Sequence, residues 1–172
     1  MIMKTEVLRQ IGRLTVALGL GFGTLSVALA DEKETREFYI KTVHIDGKGS
    51  VSGDASHPPE PFPEYGLPDG GGLILKRPDE NGRWKVRAFA FVPSQIVVNE
   101  GDDVKLHFVG VQGPKHDIHV EGGEIVDEKF VLKRGHVHDV SFQATKPGVI
   151  QIECYTHEPA MNGEIVILPK AD

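Results

Sequence analysis

The stretch GVIQIECYTHEPAMNGEIVIL, residues 148–168, places a short polar loop between two apolar segments rich in β-branched residues. Segments of this kind, bounded by glycine and proline, predict two β-strands. The loop between them holds Cys154, His157 and Met161, and Cys154 is the only cysteine of the 172-residue chain. Because the loop is short, it can direct a thiol, an imidazole and a thioether towards a common point.

The first thirty residues have the composition of an export signal. Three basic residues precede an apolar run over about residues 14–29, and Ala28 and Ala30 supply the small residues that a signal peptidase requires. We therefore predict a cleavable signal peptide over residues 1–30 and a periplasmic protein, in a Gram-negative cell, with no membrane insertion after cleavage. The alternative is an uncleaved anchor, which the three glycines and the short length of the apolar run disfavour.

Export makes the single cysteine informative. One cysteine cannot form a disulfide within the chain, and a free thiol outside the cytoplasm is exposed to oxidation and mispairing. Either Cys154 is buried and inert, or another group occupies its sulfur.

Charge and composition exclude some partners. The chain has 25 acidic and 19 basic residues, a net charge of −6, and no sequence cluster of lysine and arginine. Binding to nucleic acid or to an anionic membrane surface is therefore not expected.

Two regions differ in composition, and we predict that they form a single domain. Residues 31–83 contain the strand REFYIKTVHID (36–46) and then, from Gly47 to about Gly82, a long irregular loop rich in proline and glycine. The segment LILK within that loop has the composition of a short strand. Residues 84–172 form the predicted core of the domain.

Short strand patterns recur throughout this core region at intervals of 8 to 14 residues. In chain order they are KVRAFAFV, QIVV, DVKLHFVGV, HDIHV, KFVL, HVHDVSFQA, GVIQIEC and GEIVIL. Turn-forming sequences separate them, and no helical period is sustained. We predict an all-β sandwich or barrel of seven or eight strands.

The side chains of the 154–161 loop are a metal-ligand set. Two histidines and a cysteine in a plane, with a distant axial methionine, make a mononuclear type 1 copper site. The loop lacks one histidine, and GPKHDIHV offers His116 and His119. Strand alternation places His116 on the same face as the apolar Ile118, so His116 is the predicted ligand and His119 the alternative.

These motifs resemble those of the cupredoxins. The segments His116-Asp117-Ile, KRG, VSF, TKPG and IEC lead to Cys154, His157 and Met161, and the methionine is followed by NGEIVI. A typical family member has His-Asn where this chain has His116-Asp117. The resemblance implies a Greek-key β-sandwich and a copper cofactor held by His116, Cys154, His157 and Met161.

The resemblance covers about residues 84–169. A binuclear copper site would need a second cysteine in the loop, and a red-copper site would have glutamate in place of His116. In size, export signal and plan, the chain more loosely resembles the periplasmic copper-tolerance cupredoxins of the CopI type.

Simpler interpretations stand beside the metal site. Cys154 could be an ordinary buried thiol, Met161 a filler of the core, and His157 a surface residue. His136 and His138 could hold a second metal or lie at a solvated strand start. His107 alternates outward and is predicted at the surface, while His44 and His57 are either accessory copper ligands or unrelated to copper.

The functional expectation is a copper-binding protein that is not an enzyme, because a Cys-His-His-Met site leaves no open coordination position. We expect one type 1 copper per chain, with weak accessory copper possible at the surplus histidines, in copper handling and tolerance. The alternative is an electron carrier of a respiratory chain, with a c-type cytochrome or an oxidase as its redox partner.

Overall fold

Ten strands and one short 3-10 helix make up the part of the chain that the computed structural model describes, residues 35–64 and 71–170. The strands are β1 (Thr35–Ser50), β2 (Leu73–Lys76), β3 (Arg83–Val92), β4 (Gln95–Asn99), β5 (Asp103–Gly110), β6 (Lys115–Gly122), β7 (Ile125–Lys133), β8 (Val137–Gln143), β9 (Gly148–Cys154) and β10 (Asn162–Leu168). The 3-10 helix, Tyr155–His157, joins β9 to β10. The predicted signal peptide lies outside the described residues, among which no helix is long and apolar enough to cross a membrane.

The strands form two five-stranded sheets, with orders β2-β3-β1-β5-β8 and β4-β10-β9-β6-β7. Most neighbours are antiparallel, whereas β1 with β5 and β4 with β10 are parallel. All eight strands predicted from residue 84 onward are present, and LILK is the strand β2. The prediction of an all-β sandwich is confirmed.

The core lies between the two sheets and follows from strand alternation. In β4 the exposed and buried residues alternate strictly, with Ile96 and Val98 inward. Phe91, Phe108 and Ile165, from three different strands, are at most 1% exposed. Burying a side chain of this size contributes about 1.5–3 kcal/mol relative to leaving it in water.

The first strand is longer than predicted. It continues past Asp46 to Ser50, so the irregular loop begins at residue 51 and not at Gly47. The glycines of GKGS, which indicated a turn, lie in a strand pair that runs as far as Ser50 opposite Arg83. The indole of Trp84 lies so close to Gly49 that a side chain there would collide with it.

Because β1 and β3 are long, one end of their sheet extends beyond the core. Phe91 and Phe89 are buried on the inner face of β3, but Arg87 and Lys85 on the same face are exposed. We call this end, residues 45–50, 73–76 and 83–88, the overhang. Its inner face begins next to the loop between β9 and β10.

Candidate metal centre

The loop of residues 155–161 is closed at its base by its own backbone. The amide of Cys154 donates to the carbonyl oxygen of Met161 at 3.1 Å, and the amide of Met161 donates to that of His157 at 3.0 Å. Cys154 and Met161 are both 0% exposed, while His157 is half-buried. The antiparallel pairing of β9 with β10 thus holds both sulfur-containing residues inside the sandwich.

Three of the four predicted ligands come together in the interior. The Cys154 Sγ lies 3.7 Å from His116 Nδ1 and 3.4 Å from His157 Nδ1. In the described part of the chain these three residues are the only group found with metal-ligand character, their donor atoms all lying within 4.8 Å of one another. Met161 lies buried in the same loop.

Strand register explains why His116 joins Cys154. Ile118 of β6 pairs directly with Cys154 of β9, so their side chains share the inner face. His116, two residues earlier, lies on that face and is 0% exposed. His119 lies on the opposite face, where its Nδ1 is 2.5 Å from the Tyr155 hydroxyl.

The orientation of the His116 ring is set by the loop before it. The Nε2 of His116 is 2.7 Å from the carbonyl oxygen of Gln112, which can only accept a hydrogen bond, so Nε2 carries the proton. The unprotonated Nδ1 then faces Cys154 with a lone pair that a metal ion could bind. The ring packs against Gly113, whose φ is +82° and where a Cβ would come within 2.6 Å of Nε2. Glycine is therefore required there by both conformation and space.

Asp117 and Thr156 connect the two ligand-bearing segments. The Thr156 hydroxyl donates to the Asp117 carboxylate at 2.9 Å and accepts from the Asp117 amide at 3.3 Å. The hydrogen bond from Thr156 is the main cause that holds the pKa of Asp117 below its usual value. Asp117 thus joins the strand that carries His116 to the loop that carries His157.

Burial determines the protonation of the metal-free ligands. It raises the pKa of the Cys154 thiol, although the backbone N–H groups of Thr156 and His157 favour the thiolate. Burial lowers the pKa of His157, and the nearby His116 and His44 act in the same direction. The metal-free site therefore holds a thiol and a neutral imidazole at neutral pH, and a metal would have to displace the thiol proton.

An aromatic contact to His157, and a second one to the ring that makes it, were not predicted from the sequence. The Phe89 ring stacks on the His157 ring with centroids 3.9 Å apart and planes at 11°. His44 packs its edge on Phe89 at 4.4 Å, and its buried Nε2 has no hydrogen-bond partner among the described residues. No sequence signal distinguishes Phe89 from the other alternating apolar residues of β3, because the contact joins segments far apart in the chain.

The prediction that His107 lies at the surface is wrong. His107 is 8% exposed, its Nδ1 lies 2.8 Å from the Asp139 carboxylate, and its ring stacks on Tyr39 at 4.5 Å. Alternation does direct it away from the core, but neighbouring side chains on the outer face of the sheet cover it.

The remaining histidines lie apart from the metal-ligand group. His138 pairs with Glu128 at 3.1 Å and stacks on Phe130, while the exposed His136 contacts a backbone carbonyl. His57 is exposed and lies beside Asp54. The described residues around these histidines contain no second group with metal-ligand geometry.

The donor set fits one kind of metal best. A thiolate, two imidazoles and a thioether are soft and borderline ligands that suit copper, and two histidines with one cysteine are the equatorial set of a type 1 centre. No carboxylate belongs to the group, so a hard cation such as calcium or magnesium is disfavoured.

No protein-family model and no curated protein matches the chain. Among solved structures, the multicopper oxidase mgLAC is 19% identical with a TM-score of 0.48, and covers 80% of this chain, which spans 40% of that protein. Auracyanin from Roseiflexus castenholzii is 20% identical with a TM-score of 0.39, over 46% of this chain and 88% of its own. A reduced Cu(I) form of an amicyanin variant is 22% identical with a TM-score of 0.36, and the match covers 45% of this chain and 72% of the amicyanin chain. The fold is a two-sheet β-sandwich, and its one buried Cys-His-His group among the described residues is suited to copper.

Proposed function

We propose that the protein binds one copper ion in a mononuclear type 1 centre. Cys154, His116 and His157 would hold the ion together with Met161. The observation that carries the proposal is the convergence of Cys154 Sγ with the two Nδ1 atoms at 3.7 and 3.4 Å in the interior.

A bound copper would supply one-electron redox chemistry, and the chain provides its surroundings. Full burial of Cys154 and His116 keeps water and other reactants from these two ligands. The Gln112 carbonyl fixes the orientation of His116, and Phe89 fixes that of His157. Because the four ligands fill the site, we propose that the protein is not an enzyme.

The role that we propose is copper handling in the periplasm, after removal of residues 1–30. A buried thiolate would sequester the ion, so that it could not react with thiols and metal sites of other proteins. The lone cysteine of an exported chain supports this role, since its sulfur is then occupied and protected. The histidines outside the centre would bind accessory copper only weakly, because the described residues contain no second group of three metal-ligand side chains.

A second candidate is electron transfer to a c-type cytochrome or an oxidase. It is favoured by His157, which is the one half-buried residue among three ligand candidates and lies against Phe89 at the end of the sandwich. A ligand in this position offers electrons a short path to the surface.

The copper centre is tested by the visible absorption spectrum of the protein with one equivalent of Cu(II), beside Cys154→Ser. We expect an intense thiolate-to-copper band that is lost in the variant. A colourless wild type with only weak copper binding would show that Cys154 is structural and would refute the proposal.

The two roles are separated in cells that lack the gene. Copper handling predicts sensitivity to added copper, restored by the wild type and not by Cys154→Ser. Normal growth in copper combined with a respiratory defect would instead support the electron carrier.

A further inference from the structure

Three lysines form a row across the inner face of the overhang. Lys85 of β3 pairs with Lys48 of β1 on one side and with Lys76 of β2 on the other. Directly paired residues of antiparallel strands lie on the same face, and adjacent strands are about 4.8 Å apart. The Cα atoms of the three lysines are thus brought within about 10 Å of one another by strands that the sequence separates.

No described residue forms an ion pair with this lysine row, although Lys48 acts electrostatically on Asp46. All three residues are exposed, and no hydrogen bond or ion pair joins their ammonium groups to a described residue. Asp46, which lines the same cavity as the row, is held by Arg87 at 2.6 and 3.0 Å. Like charges that face each other across strands destabilise a sheet, so the row opposes folding of the overhang.

A second cavity, which Lys48 and Lys85 also line, contains the carboxylates of Asp54, Glu60 and Asp79, and two of these accept backbone hydrogen bonds. Asp54 accepts from the amides of Ser56 and His57, and Asp79 accepts from those of Asn81 and Arg83. Over the row itself, however, three lysines and Arg87 stand against the single carboxylate of Asp46, which makes this cavity a local cationic surface on a chain whose net charge is −6.

The row lies on the side of the sheet that leads to the metal centre. Phe89, which stacks on His157, is four residues from Lys85 on the same face of β3, about 13 Å along the strand. A cavity of about 380 Å³ over the row is also lined by Arg87 and by Ile74, which is 44% exposed. A molecule bound on the row would therefore lie on the face of the sheet that leads to the half-buried metal ligand.

We propose that the overhang is a docking surface for an acidic segment of a partner protein, with several Asp or Glu side chains facing the lysine row and an apolar side chain over Ile74. Its use in delivering or removing copper or electrons rests on the proposed function, but the binding itself does not. Protein carboxylates fit better than a nucleic acid, because the row is short, Asp46 borders it, and the apolar Ile74 beside it offers a contact for a side chain of the partner.

The test is a titration of the ¹⁵N-labelled protein with a deca-glutamate peptide, observed by NMR at low ionic strength, in both metal-free and copper-loaded protein. We expect amide shifts concentrated in the overhang, and binding that weakens as salt rises towards about 0.5 M. In the triple variant Lys48→Glu/Lys76→Glu/Lys85→Glu, the dissociation constant should rise by at least about tenfold.

The matched control changes three exposed lysines elsewhere, Lys41→Glu/Lys133→Glu/Lys146→Glu, and alters the net charge equally. It should bind within about twofold of the wild type. Equal loss in both variants would show that only net charge matters, and would overturn the proposal.

Two other occupants give distinct results. Binding of deca-thymidylate at the overhang as tightly as the peptide would overturn the proposal in favour of a nucleic acid. Self-association of the wild type in sedimentation, abolished by the overhang variant alone, would assign the row to a second copy of this chain. Metal-free protein gives the same readout, so loss of the copper centre would leave the result for the overhang intact.

Discussion

Strand β6 carries two buried histidines in opposite surroundings. His116 faces inward to a thiol and a second imidazole, with a backbone carbonyl behind it. His119 faces outward to the Tyr155 hydroxyl and the Asp127 and Glu121 carboxylates. The two residues are 0% and 5% exposed, so burial does not distinguish them. The difference shows that the chemistry of the neighbours, and not burial, decides whether a histidine can be a soft-metal ligand.

The largest expected effect separates the two histidines directly. His116→Ala should weaken copper binding by more than about 100-fold and abolish the thiolate-to-copper band, because it removes a ligand. His119→Ala should change copper affinity by less than about threefold, since its partners lie on the other face. Copper titration under competition with a chelator measures both, and an equal loss in the two variants would break the distinction.

The second effect is the pH dependence of stability that arises from the inner cluster, His116, Cys154 and His157, in the metal-free protein. Because the folded pKa of Cys154 is raised, its contribution to stability is complete below the unfolded pKa of about 8.5 and is lost as pH rises towards the folded pKa. The thermal midpoint should therefore fall on the alkaline side in wild type and His119→Ala. Cys154→Ala should flatten the alkaline part of the plot of thermal midpoint against pH. An unchanged slope in this variant would show that the buried thiol does not cause the pH dependence.

A smaller effect is expected at the contact between Thr156 and Asp117, which joins the loop of Cys154 and His157 to the strand of His116. Thr156→Val removes the hydroxyl that binds Asp117 and should lower the free energy of unfolding by about 1 kcal/mol. Because the folded pKa of Asp117 is depressed, this contribution is present above about pH 4 and is lost as pH falls through the folded pKa. Urea unfolding at neutral and acid pH measures it, with exposed Ser141→Ala as control. A loss that persists in acid would assign the effect to packing.

The smallest effect is expected in the outer cluster, which consists of His119 and its partners Tyr155, Asp127 and Glu121. Tyr155→Phe removes the hydroxyl beside His119 while retaining the ring, and should cost about 1 kcal/mol or less of stability. Tyr155 is adjacent to Cys154 in sequence, yet the visible spectrum should not change, because the ring lies on the other face. A shifted absorption band would show that the outer cluster is coupled to the metal centre.

Local signals account for what could be predicted. Every strand from β3 to β10 is marked by alternation or by β-branched runs between turn residues. Cys154, His157 and Met161 lie within eight residues of one loop, so their spacing alone brings them near one another. His116 was selected over His119 by strand alternation, which needs only a few neighbouring residues.

Prediction was less successful where partners are distant. The glycines of GKGS indicated a turn, whereas the partner strand and Trp84 keep them within β1. Outward alternation indicated an exposed His107, whereas Tyr39 and Asp139 from adjacent strands cover it.

The sequence by itself determined an all-β chain, the ligand loop and the inward histidine, because periodicity and loop spacing are properties of short segments. Only the tertiary structure decided that Phe89 lies on His157 and that three scattered lysines form one row. The sequence shows no basic cluster, since Lys48, Lys76 and Lys85 lie in separate strands. Their proximity depends on the register of two strand pairs, which is set by the packing of the whole sheet and is not encoded near any one lysine.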